Sequence, residues 1–107
     1  MSNLGLTAMT KLEVIVQGED LAAVTDVLDL AGARGYTLLS GVSGLGHGGF
    51  HQGSLYFNDR DGLHLVLVVV PEETAVPVIE AVRKLLETRP GVLFASTTYV
   101  SRPEYFR

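Results

Sequence analysis

Residues 63–70 read LHLVLVVV and are apolar at all but one position. A strand that is apolar on both sides is normally a central strand, with both faces of its sheet covered. This stretch therefore predicts a buried strand in the middle of a sheet. The chain has 107 residues, which is enough for one such core, so we expect a single domain over residues 1–107.

Three further strands are predicted beside this one. Leu12, Val14 and Val16 alternate with their neighbours at the two-residue period of a strand, which indicates a strand over 11–17. Two β-prone runs indicate strands over 36–40 and 92–100. Residues 1–9 show no clear period and predict a loose arm. Residues 101–107 form a polar and aromatic tail.

Two helices are predicted from apolar residues at helical spacing. The apolar positions are Leu21, Val24, Leu28 and Ala31 in the first helix and Val76, Ile79, Val82 and Leu86 in the second. Arg34 and Gly35 are expected to end the first helix. Thr74 is expected to cap the second, and Pro77 is compatible with its first turn because first-turn amides have no partners within the helix.

This order of elements predicts an α+β fold. The order strand, helix, strand, loop, strand, helix, strand fits a ferredoxin-like βαββαβ domain, an antiparallel sheet with two helices on one face. Two helices cover only that face, whereas the strand at 63–70 calls for cover on both. Self-association is the simplest cover for the second face, so we expect a homo-oligomer.

Composition excludes several classes of function. The formal net charge of −4 argues against general nucleic-acid binding, which needs a positive field. The chain has no cysteine, which excludes disulfides, thiolate catalysis and cysteine-ligated zinc. No segment reaches the roughly 18 apolar residues of a membrane span, so we expect no membrane insertion. The lack of cysteine fits a reducing cytoplasm but does not require one.

Residues 41–53 contain six glycines and are predicted to form a flexible loop, not a helix or a paired strand. Residues 44–49 match G-x-G-x-x-G, but no helix follows, and the Walker and nucleophile-elbow motifs are missing. Backbone amides of such small residues can approach an anion closely. The alternative is a merely mobile connection between strands.

Histidines and arginines supply the remaining candidates for chemistry. His47 and His51, four residues apart, are either solvated loop histidines or the ligands of an alternative function, that of a trimeric copper-tolerance-like metal-binding protein. Arg89 and Arg102 could bind phosphate or carboxylate, or could simply be solvated. Tail aromatics such as Tyr105 could stack on a base or anchor a subunit contact. No nucleophile–base pair is visible, so an enzyme ranks last.

Three short motifs carry a resemblance to the PII signal-transduction family. GYT at 35–37 resembles the Gly-x-Thr that opens the family's second strand. GLGH at 44–47 resembles the Gly-Phe-Gly-Arg at the base of its long T-loop, and VVPEE at 69–73 resembles the end of its third strand. The resemblance implies a homotrimer of ferredoxin-like subunits that binds adenine nucleotides in clefts between subunits and has no enzymatic activity.

Two departures from the family pattern make the chain resemble one subgroup of the family in particular. The T-loop, here 41–53, is short, and the phosphate-binding B-loop is reduced to TRPG at 88–91. In these two features the chain is most similar to the carboxysome-associated PII proteins. That subgroup implies ADP or AMP and bicarbonate as ligands, no resident cofactor, and regulation of inorganic-carbon uptake in the bacterial cytoplasm through T-loop ordering, with a bicarbonate transporter as a partner.

The resemblance also implies roles for individual residues. Thr37 and Val69 would hold the adenine, and Arg89 or Arg102 would neutralise charge. Gly46 and His47 would bind bicarbonate. The full set implied for nucleotide binding is Thr37, Ser43, Gly44, Leu45, Gly46, Val69, Arg89, Gly91 and Arg102.

Overall fold

The computed structural model describes the backbone over residues 4–46, 49–51 and 62–107. The strands in these ranges are β1 (Thr7–Gln17), β2 (Thr37–Val42), β3 (Gly44–Gly46), β4 (Gly49–His51), β5 (Leu63–Val70) and β6 (Gly91–Val100). The helices are α1 (Leu21–Ala31) and α2 (Ala75–Leu85). None of the helices in these ranges is both long and apolar enough to cross a lipid bilayer.

The main sheet has the strand order β2-β5-β1-β6, and every neighbouring pair is antiparallel. The ferredoxin-like prediction is confirmed. The central position predicted for the strand at 63–70 is confirmed as well, because β5 lies between β2 and β1. Strands β2 and β6 are the two edges of this sheet.

Alternation along β1 and β5 divides the sheet into a helix-packed face and a helix-free face. The even-numbered residues from Leu12 to Val16 of β1 and from Val66 to Val70 of β5 are fully buried in the core formed with α1 and α2. Val24 and Leu28 of α1 and Val78 and Val82 of α2 complete that core. The helix-free face carries the odd-numbered residues Lys11, Glu13 and Ile15 of β1 and Leu65, Leu67 and Val69 of β5.

Strand β1 begins four residues earlier than expected, so the prediction that residues 1–9 form a loose arm is wrong for residues 7–9. Thr7 pairs with Val100, and Met9, with 1% of its surface exposed, pairs with Thr98. The hydrogen bonds that hold these residues come from β6, at the other end of the chain. Local periodicity cannot report such a partner.

Helix α1 ends at Ala31, so the predicted stop at Arg34 and Gly35 is wrong. Gly32 adopts a left-handed φ of 102°, and its amide donates to the carbonyl of Asp29. The amide of Ala33 donates to the carbonyl of Leu28 at 3.0 Å. These two bonds form a Schellman motif, which places the stop at the first glycine after the helix.

Helix α2 begins as predicted, with Thr74 at the N-cap position and Pro77 in the first turn. The Thr74 hydroxyl, however, donates to the carbonyl of Pro71 at 3.0 Å and accepts no helix amide. Pro77 fits because a first-turn residue needs no amide hydrogen.

The glycine-rich segment contains short strands, so the expectation that it forms no paired strand is wrong. Gly41 lies within β2, where a φ of 74° accommodates a shift of register between Ser40 and Val42. Strands β3 and β4 pair through three residues each. Ladder hydrogen bonds involve only backbone groups, so glycines can make them at an entropic cost of roughly 0.5–1 kcal/mol each relative to alanine.

Candidate functional site

A pocket of about 200 Å³ lies at one end of the helix-free face. Leu67 and Val69 form its floor on β5, and Thr37 opens β2 beside them. Two residues predicted from sequence to hold adenine, Thr37 and Val69, therefore line the same pocket. The remaining lining residues are Gly35, Tyr36, Tyr105 and Phe106.

The C-terminal tail builds one wall of this pocket. After β6 the chain makes a 3₁₀ turn over Pro103–Tyr105, closed by a bond from the Phe106 amide to the Pro103 carbonyl at 3.0 Å. The Arg34 guanidinium, which follows α1, donates to the carbonyl of Arg107. This contact ties the tail to the segment that leads into Thr37. Sequence reasoning left open whether the tail aromatics belonged to a site.

Arg102 is held against Tyr105 at the pocket wall. Its Nη1 donates to the Tyr105 hydroxyl at 2.9 Å, and its guanidinium carbon lies 5.7 Å from the ring centroid. Both contacts are exposed, so they order the two side chains without burying the charge. Arg102, predicted to neutralise phosphate, is thus placed at the end of the sheet where the pocket lies.

The glycine-rich candidates lie at the other end of β2. Ser43 is exposed and follows the last residue of β2, and Gly44, Leu45 and Gly46 form β3. Thr37 and Ser43 therefore flank one edge strand, whose outer side has no neighbouring strand in the described sheet. His47, the second residue predicted to bind bicarbonate, lies outside the described residues.

Gly91 begins β6, the opposite edge of the sheet. Its φ is +149°, and a Cβ placed there would lie 2.9 Å from the Ile15 carbonyl oxygen and 2.9 Å from Val16 Cγ1. Leu86 Cδ2 would be 3.0 Å away. The position thus requires glycine for packing, independently of any ligand.

Arg89 is paired with Asp20, a buried acid that immediately precedes α1. Its Nη1 donates to Asp20 Oδ1 at 2.9 Å. Asp20 is 6% exposed, whereas the Arg89 side chain is 41% exposed. The ion pair joins the α2–β6 turn to the N-terminus of α1 and leaves part of the guanidinium open to solvent. No sequence signal linked these residues, which are 69 positions apart.

In a single copy of the chain, the residues predicted to bind nucleotide do not all lie close together. A single register row runs Ser40, His64, Val16, Gly91 across the sheet from β2 to β6. Three strand spacings separate the ends of this row, about 14 Å. Arg89 and Gly91 therefore lie across the sheet from the candidates on β2.

The metal-binding alternative lacks support. In the described part of the chain, no three His, Cys, Asp or Glu side chains come together as a metal site would require. His51 lies in β4 and His47 is not described. The third histidine, His64, is 5% exposed, and its Nδ1 lies 3.0 Å from Ser40 Oγ, a contact that joins β5 to β2 just before the bulge.

The Nitrogen regulatory protein P-II family model matches residues 9–105. CPII, a nitrogen regulatory PII-like protein from Thiomonas intermedia solved with ADP, AMP and bicarbonate, has a TM-score of 0.87 and 39% identity over 95% of this chain and 96% of its own. The same protein solved with ADP and bicarbonate has a TM-score of 0.83 at 37% identity over 95% and 97% of the two chains. Solved with ADP, AMP and acetate, it has a TM-score of 0.76 at 37% identity over the same shares.

A search of curated protein sequences found no match. The family model nevertheless covers nearly the whole chain, and the identity to CPII extends over nearly the full length of both proteins. This chain belongs to the family of nitrogen regulatory P-II proteins.

Proposed function

We propose that this protein is a non-enzymatic PII-like sensor that binds ADP or AMP together with bicarbonate in clefts between the subunits of a homotrimer. CPII, which is 39% identical, was solved with these three ligands, and this supports the same ligand class here. The relative also accommodates acetate, a second small anion with two oxygens on one carbon.

The observation that carries the proposal is the pocket shared by Thr37 and Val69. Leu67 and Val69 offer an apolar floor, Tyr36 and Tyr105 offer aromatic rings, and the Thr37 hydroxyl is a hydrogen-bonding group at the rim. A purine base is flat and apolar on its faces and polar along its edges, so it suits such a mixture. Phosphates attached to the base would extend along β2 towards Gly44 and Gly46.

The size of the pocket supports a cleft completed by a second subunit. Ligand pockets typically measure roughly 300–1,000 Å³, and a single copy of this chain supplies about 200 Å³. Arg89 and Gly91 lie on the opposite edge of the sheet, so they reach a nucleotide on β2 only from a neighbouring copy. A contact between the β6 edge of one copy and the β2 edge of the next is heterologous, and a rotation of about 120° between successive copies would close it into the proposed trimer.

The helix-free face supports self-association as well. Leu39, Leu65, Ile15 and Val92 are register partners in one row across all four strands. Leu39 and Val92 are 46% and 42% exposed. A contiguous apolar row on a sheet without covering helices is typical of an interface between subunits.

Bicarbonate and the T-loop complete the proposal. Backbone amides near Gly46, with His47 beside them, would hold the small anion next to the nucleotide phosphates. Ordering a glycine-rich loop costs roughly 1–2 kcal/mol per residue, and ligand contacts would offset this cost for the T-loop over 41–53 and so change the surface that it presents. The ordered surface would contact a bicarbonate transporter or another protein of carbon metabolism in the bacterial cytoplasm, as in the carboxysome-associated PII proteins.

Isothermal calorimetry with ADP, with and without bicarbonate, tests the proposal. We expect saturable heat with ADP and a changed ADP affinity when bicarbonate is present, because two ligands in one cleft are thermodynamically coupled. Light scattering on the same sample should give the mass of a trimer. No heat in either titration, from a protein that is folded, would refute the sensor.

A pair of matched variants locates the site. Thr37→Val removes one hydroxyl at the pocket and should weaken ADP binding about 10-fold, the value of one hydrogen bond. Thr25→Val makes the same change on α1, where the hydroxyl donates to the Ala22 carbonyl, and should leave ADP affinity unchanged. Equal affinities of the two variants for ADP would place the adenine elsewhere.

A further inference from the structure

Two opposite charges lie on the helix-free face of β1. Lys11 Nζ and Glu13 Oε1 are 3.7 Å apart, and their side chains are 32% and 34% exposed. Leu67 and Phe94 flank Glu13 as register partners on the neighbouring strands. Because β1 is an interior strand, this ion pair lies near the middle of the surface that self-association would cover.

Covering this face would remove water from both charges. Desolvating an ion pair is unfavourable unless each charge gains close and well-directed partners. The contact at 3.7 Å is longer than the 2.7–2.9 Å of a strong charge-assisted hydrogen bond. In the described ranges neither side chain has a further ion-pair or hydrogen-bond partner.

The chemistry of the two groups leaves capacity for a second partner. The ammonium of Lys11 has three donors, and the carboxylate of Glu13 has two acceptor oxygens. The pair within one chain uses only part of this capacity. A second copy of the chain brings an identical pair and can therefore supply what each charge lacks.

We propose that Lys11 of one copy pairs with Glu13 of the next, and that this alternation of charge selects how the copies assemble. The inference rests on the self-association through the helix-free face proposed above. Each copy carries one charge of each sign, so a closed head-to-tail ring places every ammonium beside a carboxylate and is neutral. A slipped or reversed arrangement leaves each desolvated charge with only its long contact inside the same chain, or brings like charges together, and either outcome disfavours it. The apolar row through Ile15 provides the affinity between copies, and the paired charges determine the register in which the copies meet.

Charge-swap variants test this directly, with subunit mass followed by analytical ultracentrifugation over a range of concentrations. Lys11→Glu and Glu13→Lys each place two like charges on the face, and each should raise the concentration needed for assembly by at least about 100-fold. The double variant restores one charge of each sign and should recover assembly to within about 10-fold.

Matched controls make the same charge changes elsewhere. Lys84→Glu and Glu80→Lys alter exposed side chains of α2 and should not change the mass distribution. Far-UV circular dichroism of all variants distinguishes dissociation from unfolding. The inference is overturned if folded single variants assemble like the unmodified protein, or if the folded double variant stays dissociated.

The outcome is separable from that of the nucleotide experiments. A protein that assembles normally but gives no heat with ADP refutes the sensor and leaves the role of Lys11 and Glu13 standing. A protein that binds ADP and assembles regardless of charge at these positions refutes the assembly role alone. An unmodified protein that is monomeric at micromolar concentration refutes both.

Discussion

Replacing Gly91 with alanine should destabilise the fold through one added methyl group. The new Cβ would lie 2.9 Å from the carbonyl oxygen of Ile15, which belongs to the β1–β6 ladder and cannot move away without disturbing that ladder. It would also meet Val16 Cγ1 at 2.9 Å and Leu86 Cδ2 at 3.0 Å. Side chains can rotate away from such contacts, whereas backbone cannot, so the carbonyl contact dominates.

Two contributions determine how far Gly91→Ala lowers the free energy of unfolding. Gly91 itself is exposed, but forcing a methyl group against neighbours that cannot all move away costs about 1–3 kcal/mol, and a side chain at a φ of +149° adds a similar backbone strain. We expect a loss of about 3 kcal/mol in the free energy of unfolding, a large part of the roughly 5–15 kcal/mol typical of a domain. For a domain of this size that corresponds to a drop in Tm of roughly 10–20 °C.

Urea denaturation followed by far-UV circular dichroism measures this change. Subunit concentration must be equal in all samples, because the stability of an oligomer depends on it. Gly35→Ala is the matched control: no atom lies within 4 Å of a Cβ at Gly35, so a change of no more than about 0.5 kcal/mol is expected. If Gly91→Ala unfolds at the same urea concentration as Gly35→Ala, the steric reasoning is refuted.

Two further substitutions probe other parts of the fold. Gly32→Ala forces a side chain into the left-handed end of α1, at a φ of 102°. It should lower the free energy of unfolding by about 1–2 kcal/mol, measured by thermal denaturation. An unchanged Tm would contradict this and would mean that the helix end rearranges freely. Arg89→Ala leaves the buried Asp20 carboxylate without its partner. Because the Arg89 side chain is 41% exposed, we expect the free energy of unfolding in urea to fall by about 1–3 kcal/mol, less than for a fully buried pair. Arg89→Lys should recover part of this loss. Equal stability of Arg89→Ala and the unmodified protein would contradict this account.

The candidate site was only partly predictable from sequence. Thr37 and Val69 were identified through motif resemblance, and the fold brings them to one pocket. The tail aromatics were left undecided, because the course of the tail depends on tertiary contacts such as the bond between Arg34 and the carbonyl of Arg107. The pairing of Arg89 with Asp20 had no sequence signal, since nothing in the local pattern relates positions so far apart.

The sequence by itself determined the class of fold and the centre of the sheet. The apolar run at 63–70 leaves no polar face for solvent, so β5 could only be an interior strand, and apolar spacing alone indicated both helices. Side-chain periodicity is a local property of the sequence, so it indicates these elements even when the strands and helices that pack against them are not known.

Tertiary structure decided where elements end and which residues meet. Strand β1 begins at Thr7 because β6 supplies its ladder partners, and β3 pairs with β4 through backbone groups that have no side-chain pattern. The order β2-β5-β1-β6 places Thr37 and Gly91 on opposite edges, so one chain holds only part of the predicted site. Pairing between distant segments depends on the geometry of the whole sheet, and no local window of residues contains that geometry.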